Sequence, residues 1–223
     1  MLNQLVANPG FKKFLVRLVV FLVDFDGPVV QHGGFYFQQK SGPDYETIYA
    51  MEKSREDLMV FGSSRARNHY HPKAFEEALG MSFYNAGRNG NFILYSNAVA
   101  QSVLKRHQPK IVILDIVGHE FEYYAPSYET FIQNCKKAGV QLYVICSPYF
   151  NTFPVRDKSI VLAEEIARKY EVPFWDHSQD PTFSGNPKNF YDIRHLNEPA
   201  SLRFSYKLAE KIKSADGKLA TRP

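Results

Sequence analysis

The segment Ile111-Val112-Ile113-Leu114 is apolar at every position, with none of the alternation a half-exposed strand needs. Such a run belongs to a strand covered on both faces, as in a parallel sheet sandwiched by helices. Leu58-Met59-Val60-Phe61 and Gln141-Leu142-Tyr143-Val144-Ile145-Cys146 have the same character, and Ser82-Phe83-Tyr84 and Val172-Pro173-Phe174-Trp175 read as shorter strands. Between and after them come segments of helical spacing: His71 to Leu79, Asn91 to His107, Tyr128 to Ala138, Lys158 to Tyr170 and Pro199 to Lys213. Gly80 and Gly139 stand where two of these helices should stop. Strands alternating with helices predict a three-layer α/β/α sandwich around a parallel five-stranded sheet, over residues 56–214.

The flanks differ. Residues 24–55 carry the breakers Gly27-Pro28, Gly33-Gly34 and Ser41-Gly42-Pro43 and read as irregular. Residues 1–55 are thus an N-terminal extension, and 215–223 a tail. Within the extension, residues 1–23 hold Lys12, Lys13 and Arg17 and no acid, and run into Leu18-Val19-Val20-Phe21-Leu22-Val23. That apolar run falls short of the roughly 20 residues of a spanning helix. Three readings stay open for residues 11–23: a short membrane anchor, an amphipathic surface helix, or a helix covering the domain. An inserted segment with this charge placement would put the domain outside the cytoplasm of a bacterium; the covering helix would leave it cytoplasmic.

Charge excludes one class of partner. The chain has 27 basic and 23 acidic residues, and three of the four excess cations lie in residues 1–23. The domain lacks the basic excess of a nucleic-acid reader. Two cysteines, Cys135 and Cys146, make no disulfide framework and read as core thiols.

Sheets of this kind bind ligands outside the carboxyl ends of their strands. Those junctions read Gly62-Ser63-Ser64-Arg65-Ala66, Asn85-Ala86-Gly87-Arg88-Asn89-Gly90 and Asp115-Ile116-Val117-Gly118-His119-Glu120, with Asp192-Ile193-Arg194-His195-Leu196-Asn197 before the last helix. A serine hydroxyl attacks a carbonyl once an imidazole in hydrogen-bond reach takes its proton. His195 suits that task, and a carboxylate three residues earlier, Asp192, can fix its tautomer. Taken singly the residues have plainer uses: Ser64 could cap a helix beginning near residue 68, Asp192 could serve a turn, and His195 could be a surface histidine. His69-x-His71 could bind a metal but has no acidic partner close by in sequence.

Taken together, these junctions resemble those of the SGNH hydrolases, the GDSL-type esterases and lipases. Gly62-Ser63-Ser64 stands at their Gly-Asp-Ser block, with Ser63 in place of the aspartate; Gly90 falls on the glycine of the second block. Asp192-x-x-His195 falls on the final Asp-x-x-His. The third block departs: ungapped alignment from Pro109 puts His119 where the family has an oxyanion-binding asparagine, and Glu120 at the following aspartate. The resemblance covers residues 56–214 and implies a flavodoxin-like fold with Ser64, Asp192 and His195 as the catalytic triad. Backbone N–H groups of Ser64 and Gly90 would be oxyanion donors, with His119 a third, and Asn89 and Arg65 would flank the substrate; Arg65 could equally be a structural ion-pair partner. Gly62-Ser63-Ser64-Arg65-Ala66 also nears the elbow of α/β-hydrolases. That fold places several strands before its serine and tens of residues between Asp and His, unlike this chain.

The expected activity is hydrolysis of small acyl esters, acetyl above all, on a small molecule or a carbohydrate, without metal or organic cofactor. An acyltransferase with the same triad, or an inactive glycan-binding envelope protein, are the alternatives. Tyr123, Tyr124, Tyr149, Phe150 and Phe153 could line an acyl or sugar site or serve packing. The oligomeric state is left open by the sequence.

Overall fold

The computed structural model describes residues 40–118 and 121–215. The proposed anchor at 11–23, His119 and the ring of Tyr123 lie outside the described part. The chain divides into two compact units, Met1–Tyr49 and Ala50–Pro223. Helix α1 (Gly42–Glu52) occupies the end of the first and the start of the second.

That helix corrects the reading of residues 24–55 as irregular throughout. Gly42-Pro43 is a helix start here, not a breaker. Proline in the first turn gives up an N–H that has no intrahelical partner anyway, and Asp44 follows it on the dipole's positive end.

In the second unit the order is β1 (Leu58–Phe61), α2 (Ser64–His69), α3 (Pro72–Leu79), β2 (Phe83–Asn85), α4 (Ile93–Leu104), β3 (Ile111–Asp115), α5 (Phe121–Lys137), β4 (Gln141–Cys146), α6 (Lys158–Lys169), β5 (Phe174–Asp176) and α7 (Glu198–Ala215). The five strands are all parallel in the order β2-β1-β3-β4-β5. Met59 and Phe61, with Val112, Leu114 and Val144, face one core with Val99, Phe131 and Ala163 of α4, α5 and α6. Leu58 and Val60, with Ile113 and Ile145, face the other with Phe75, Phe204 and Leu208 of α3 and α7. Two apolar faces explain why these strands show no alternation.

Several boundaries differ from the sequence reading. Helix α5 starts at Phe121, not Tyr128, and carries Pro126 inside it. Strand β5 starts at Phe174, because the Val172 N–H bonds the Ala167 carbonyl at the end of α6 and Pro173 has no N–H to give. The helical turn α2 begins immediately after β1, at Ser64. The order in which strands are added reverses between β1 and β3, and such a switch point opens a crevice at the carboxyl ends of the strands.

Candidate active site

Strand β1 ends at that crevice, and Gly62 makes the exit. Its φ is +146°, and a Cβ there would sit 2.6 Å from the Asp115 carbonyl oxygen and 2.8 Å from the Ala66 Cβ. Only glycine lets the chain turn so close to β3. Ser63 then caps α2, its Oγ accepting from the Arg65 N–H at 3.3 Å. The capping role thus falls to Ser63, and the Ser64 hydroxyl is left for another partner. Ser64 opens the helix, where backbone N–H groups lack intrahelical acceptors.

The partner comes from 131 residues further on. His195 Nε2 lies 2.8 Å from Ser64 Oγ, and His195 Nδ1 lies 2.8 Å from Asp192 Oδ2. The other oxygen of Asp192 accepts the N–H groups of Arg194 and His195 at 2.7 and 2.8 Å, so one carboxylate shapes the loop and orients the ring. Burial raises the pKa of Asp192, but the hydrogen bonds from the His195 ring and from the two N–H groups outweigh it and hold the carboxyl below its ordinary range. An ionised Asp192 can only accept, so the His195 proton sits on Nδ1 and Nε2 is free to take the serine proton. The loop is closed by a bridge between Phe190 and Leu196, and Asn197 caps α7 by accepting the Ala200 N–H at 3.1 Å.

Gly90 has φ +71°, a left-handed conformation that favours glycine, in the loop after β2. Asn85 ties that loop to α2: its Nδ2 donates to the Ala66 carbonyl and its Oδ1 accepts the Gly87 N–H. A groove of about 670 Å³ lies beside His195 and Asp192, lined among others by Arg67, Asn68, Asn89, Tyr191 and Asn197. Apart from Asn89, the sequence reading missed these groove residues, because single polar side chains on a six-residue helix or in loops, and a lone tyrosine, carry no periodic signal. Tyr191 is 83% exposed and the neighbouring Ile193 65%.

Arg65 is corrected in its substrate-flanking role. It is 4% exposed, and its Nη2 donates to the Ser147 and Pro148 carbonyls and to Ser147 Oγ. Its guanidinium carbon stands 4.0 Å from the centre of the Tyr149 ring. Its Nη2 is spent on the loop after β4, and its Nη1 points to the Arg194 carbonyl. The aromatic segment divides in the same way: Tyr149 carries Arg65 and accepts the Gly118 N–H, Phe150 packs edge-on against Phe190, and Tyr124 and Phe153 are exposed.

Below the crevice sits a buried polar layer. Asp115, at the end of β3, accepts from Tyr70 Oη at 2.8 Å and from the Ser147 N–H at 3.1 Å. Burial pushes its pKa up to about 6, against the pull of Arg65 and of these hydrogen bonds. His69 is fully buried, with Nδ1 2.9 Å from Ser147 Oγ and Nε2 accepting the Leu196 N–H at 3.0 Å. Both its ring nitrogens are committed, which removes it from any metal pair with His71; the described residues hold no group of three metal-ligating side chains. Cys135 and Cys146 are buried free thiols, and burial pushes that of Cys135 up to about 12. No helix among the described residues is long and apolar enough to cross a membrane.

No protein-family model matches the chain, and no curated protein matches it by sequence. Solved structures do. An SGNH hydrolase candidate from Slackia heliotrinireducens superposes at a TM-score of 0.52 with 18% identity, covering 71% of this chain and all of the other. TesA gives 0.58 at 14% identity over 70% of this chain and 98% of its own. The catalytic domain of peptidoglycan O-acetyltransferase A from Streptococcus pneumoniae gives 0.50 at 17% identity, over 76% and 97%. At these identities the likeness establishes the fold, which is that of the SGNH hydrolases.

Proposed function

We propose that the chain is a serine-dependent acyl-ester enzyme, in which Ser64 is the nucleophile, His195 the general base and Asp192 its orienting carboxylate. One observation carries this reading: an unbroken chain of 2.8 Å contacts from Ser64 Oγ through the His195 ring to Asp192. Ser64 Oγ attacks the ester carbonyl as its proton passes to His195 Nε2. The tetrahedral intermediate collapses, the carbon–oxygen bond to the alcohol breaks, and the alcohol leaves with the proton from Nε2. Water, deprotonated by His195, then attacks the acyl-serine and releases the acid and free Ser64. The Ser64 and Gly90 N–H groups are the proposed donors to the oxyanion, each worth about 10²–10³ in rate, with His119 as a third.

The finer reading is a small acyl group, acetyl foremost, on a carbohydrate alcohol. The groove supports it: asparagine amides suit hydroxyl groups, and the exposed Tyr191 ring offers a flat face to a sugar. The fold shared with a peptidoglycan O-acetyltransferase domain favours a second reading in which a sugar hydroxyl replaces water in the last step. The test is acetate release from an aryl acetate by wild type and Ser64→Ala. Serine-dependent turnover falling by about 10³-fold or more in the variant is expected. Release that ignores Ser64, or none at all, overturns the proposal; acetyl appearing on added glycan selects transfer over hydrolysis.

A further inference from the structure

The hydrogen-bonded chain from Ser64 to Asp192 needs His195 to be held in one place, yet the loop bearing it is largely exposed: Tyr191, Asp192, Ile193 and Arg194 all face solvent. Besides Asp192 and the Phe190–Leu196 bridge within the loop itself, two contacts hold it from underneath. The N–H of Leu196, the residue joined directly to His195, donates to His69 Nε2 at 3.0 Å. Arg65 Nη1 reaches the Arg194 carbonyl, on the other side of His195, at 3.5 Å. Arg65 and His69 are four residues apart and so lie on one face of α2, the helix that Ser64 opens. One six-residue helix therefore carries the proposed nucleophile and grips the chain on both sides of the proposed base.

The protonation state of His69 follows from its partners. A nitrogen that accepts the Leu196 N–H carries no hydrogen, so the ring proton sits on Nδ1 and is donated to Ser147 Oγ. Burial, Arg65 and the His195 ring all disfavour a charged His69, against a weaker pull from the Arg194 carbonyl. The ring is neutral, with both nitrogens engaged and no face open to a ligand. Its plane meets that of His195 at 80°, with centres 6.3 Å apart. An apolar side chain could fill this space; an acceptor at Nε2 is what the backbone beside His195 requires.

We infer that His69 is a positioning residue for His195, a neutral imidazole that anchors the Leu196 N–H to the Ser147 hydroxyl and so sets the distance between base and nucleophile. This rests on the reading of His195 as the base.

Three variants separate this role from packing. His69→Phe keeps a ring of similar size but has no acceptor. His69→Asn stays polar, but its short amide reaches towards Ser147 and not the Leu196 N–H. His69→Gln can return an acceptor near the Nε2 position. On an aryl acetate, Phe and Asn should lower kcat by about 10–100-fold with KM within about twofold, and Gln should recover to within about fivefold of wild type. A second readout needs no turnover: nitrogen-15 NMR of the histidine rings. Wild type should show His195 as a single Nδ1–H tautomer, and Phe and Asn should show an averaged or shifted His195 signal. Failure of the esterase reading would leave every variant and wild type inactive, and the NMR comparison would still decide. An unchanged His195 signal in Phe and Asn, kcat within twofold of wild type in both, or a loss in Gln as large as in Phe overturns the proposal.

Discussion

Two sets of the same three residue types lie a few residues apart in this fold. Ser64, His195 and Asp192 sit at the crevice, the Asp192 side chain 43% exposed and that of His195 19%. Ser147, His69 and Asp115 sit beneath, each at most 2% exposed. In the upper set the imidazole joins serine and carboxylate, with Nε2 facing a half-buried hydroxyl at the crevice. In the lower set the imidazole spends Nε2 on a backbone N–H, and the carboxylate binds the serine's backbone instead of the ring. Residue type thus does not make a reactive centre. What differs is whether the polar atoms meet at an accessible crevice or are mostly engaged below it in holding strands and loops together, where Asp115 Oδ1 takes both hydrogen bonds and Oδ2 takes none.

The comparison has sharp consequences for mutants. Asp192→Asn should lower kcat by about 10²–10⁴-fold, since the amide favours the wrong histidine tautomer. Its urea midpoint should stay near that of wild type, because the side chain is exposed. A large stability loss there would erase the distinction between the two layers. Arg65→Lys should instead register in stability. It should cost about 2–4 kcal/mol in urea unfolding, because one ammonium cannot both take the place of Nη2 beside the Ser147 and Pro148 carbonyls and reach the Arg194 carbonyl as Nη1 does. A variant as stable as wild type would mean that the two-armed guanidinium adds nothing beyond its charge.

The smallest effect is expected at Asp115, and it depends on pH. Its folded pKa of about 6 lies above the ordinary carboxylate value, so the folded chain keeps this proton where the unfolded chain releases it. Raising the pH from about 4 to 6 therefore weakens the fold through this group, and lowering it restores the contribution. Asp115→Asn imitates the neutral acid and keeps an oxygen for Tyr70 and Ser147. The stability of the variant relative to wild type should be lowest near pH 4 and rise by about 2–3 kcal/mol towards pH 7. A difference that stays flat between pH 4 and 7 would show that Asp115 is already ionised in the acid range. His69 is where the layers meet, which is why its loss should register in turnover rather than in stability alone.

Some of this was legible in the chain itself. The non-alternating strands announced a sheet covered on both faces, because burial on two sides leaves no place for polar residues. Gly62-Ser63-Ser64 and Asp192-x-x-His195 were visible because local chemistry demands them: a tight exit from a strand, and a carboxylate within three residues of the ring it orients. Arg65 was left between a substrate-flanking and a structural role for a physical reason. A cation beside a serine looks the same in sequence whether it faces solvent or is folded under, and a buried guanidinium needs carbonyls from a loop more than 80 residues away. Helix α1 was missed because Gly42-Pro43 stops a helix and starts one with equal ease.

The sequence alone determined the periodicity, the turns and the two short motifs, all of which depend on neighbours within a few residues. Only the tertiary structure decided that Ser64 meets His195 across 131 positions, that His69 is fully buried and His71 half-buried, and that Ser63 rather than Ser64 caps α2. Those outcomes depend on which hydrogen-bonding atoms remain unpaired once the strands are laid side by side. That is a property of the packed sheet, and no single segment of the chain contains it.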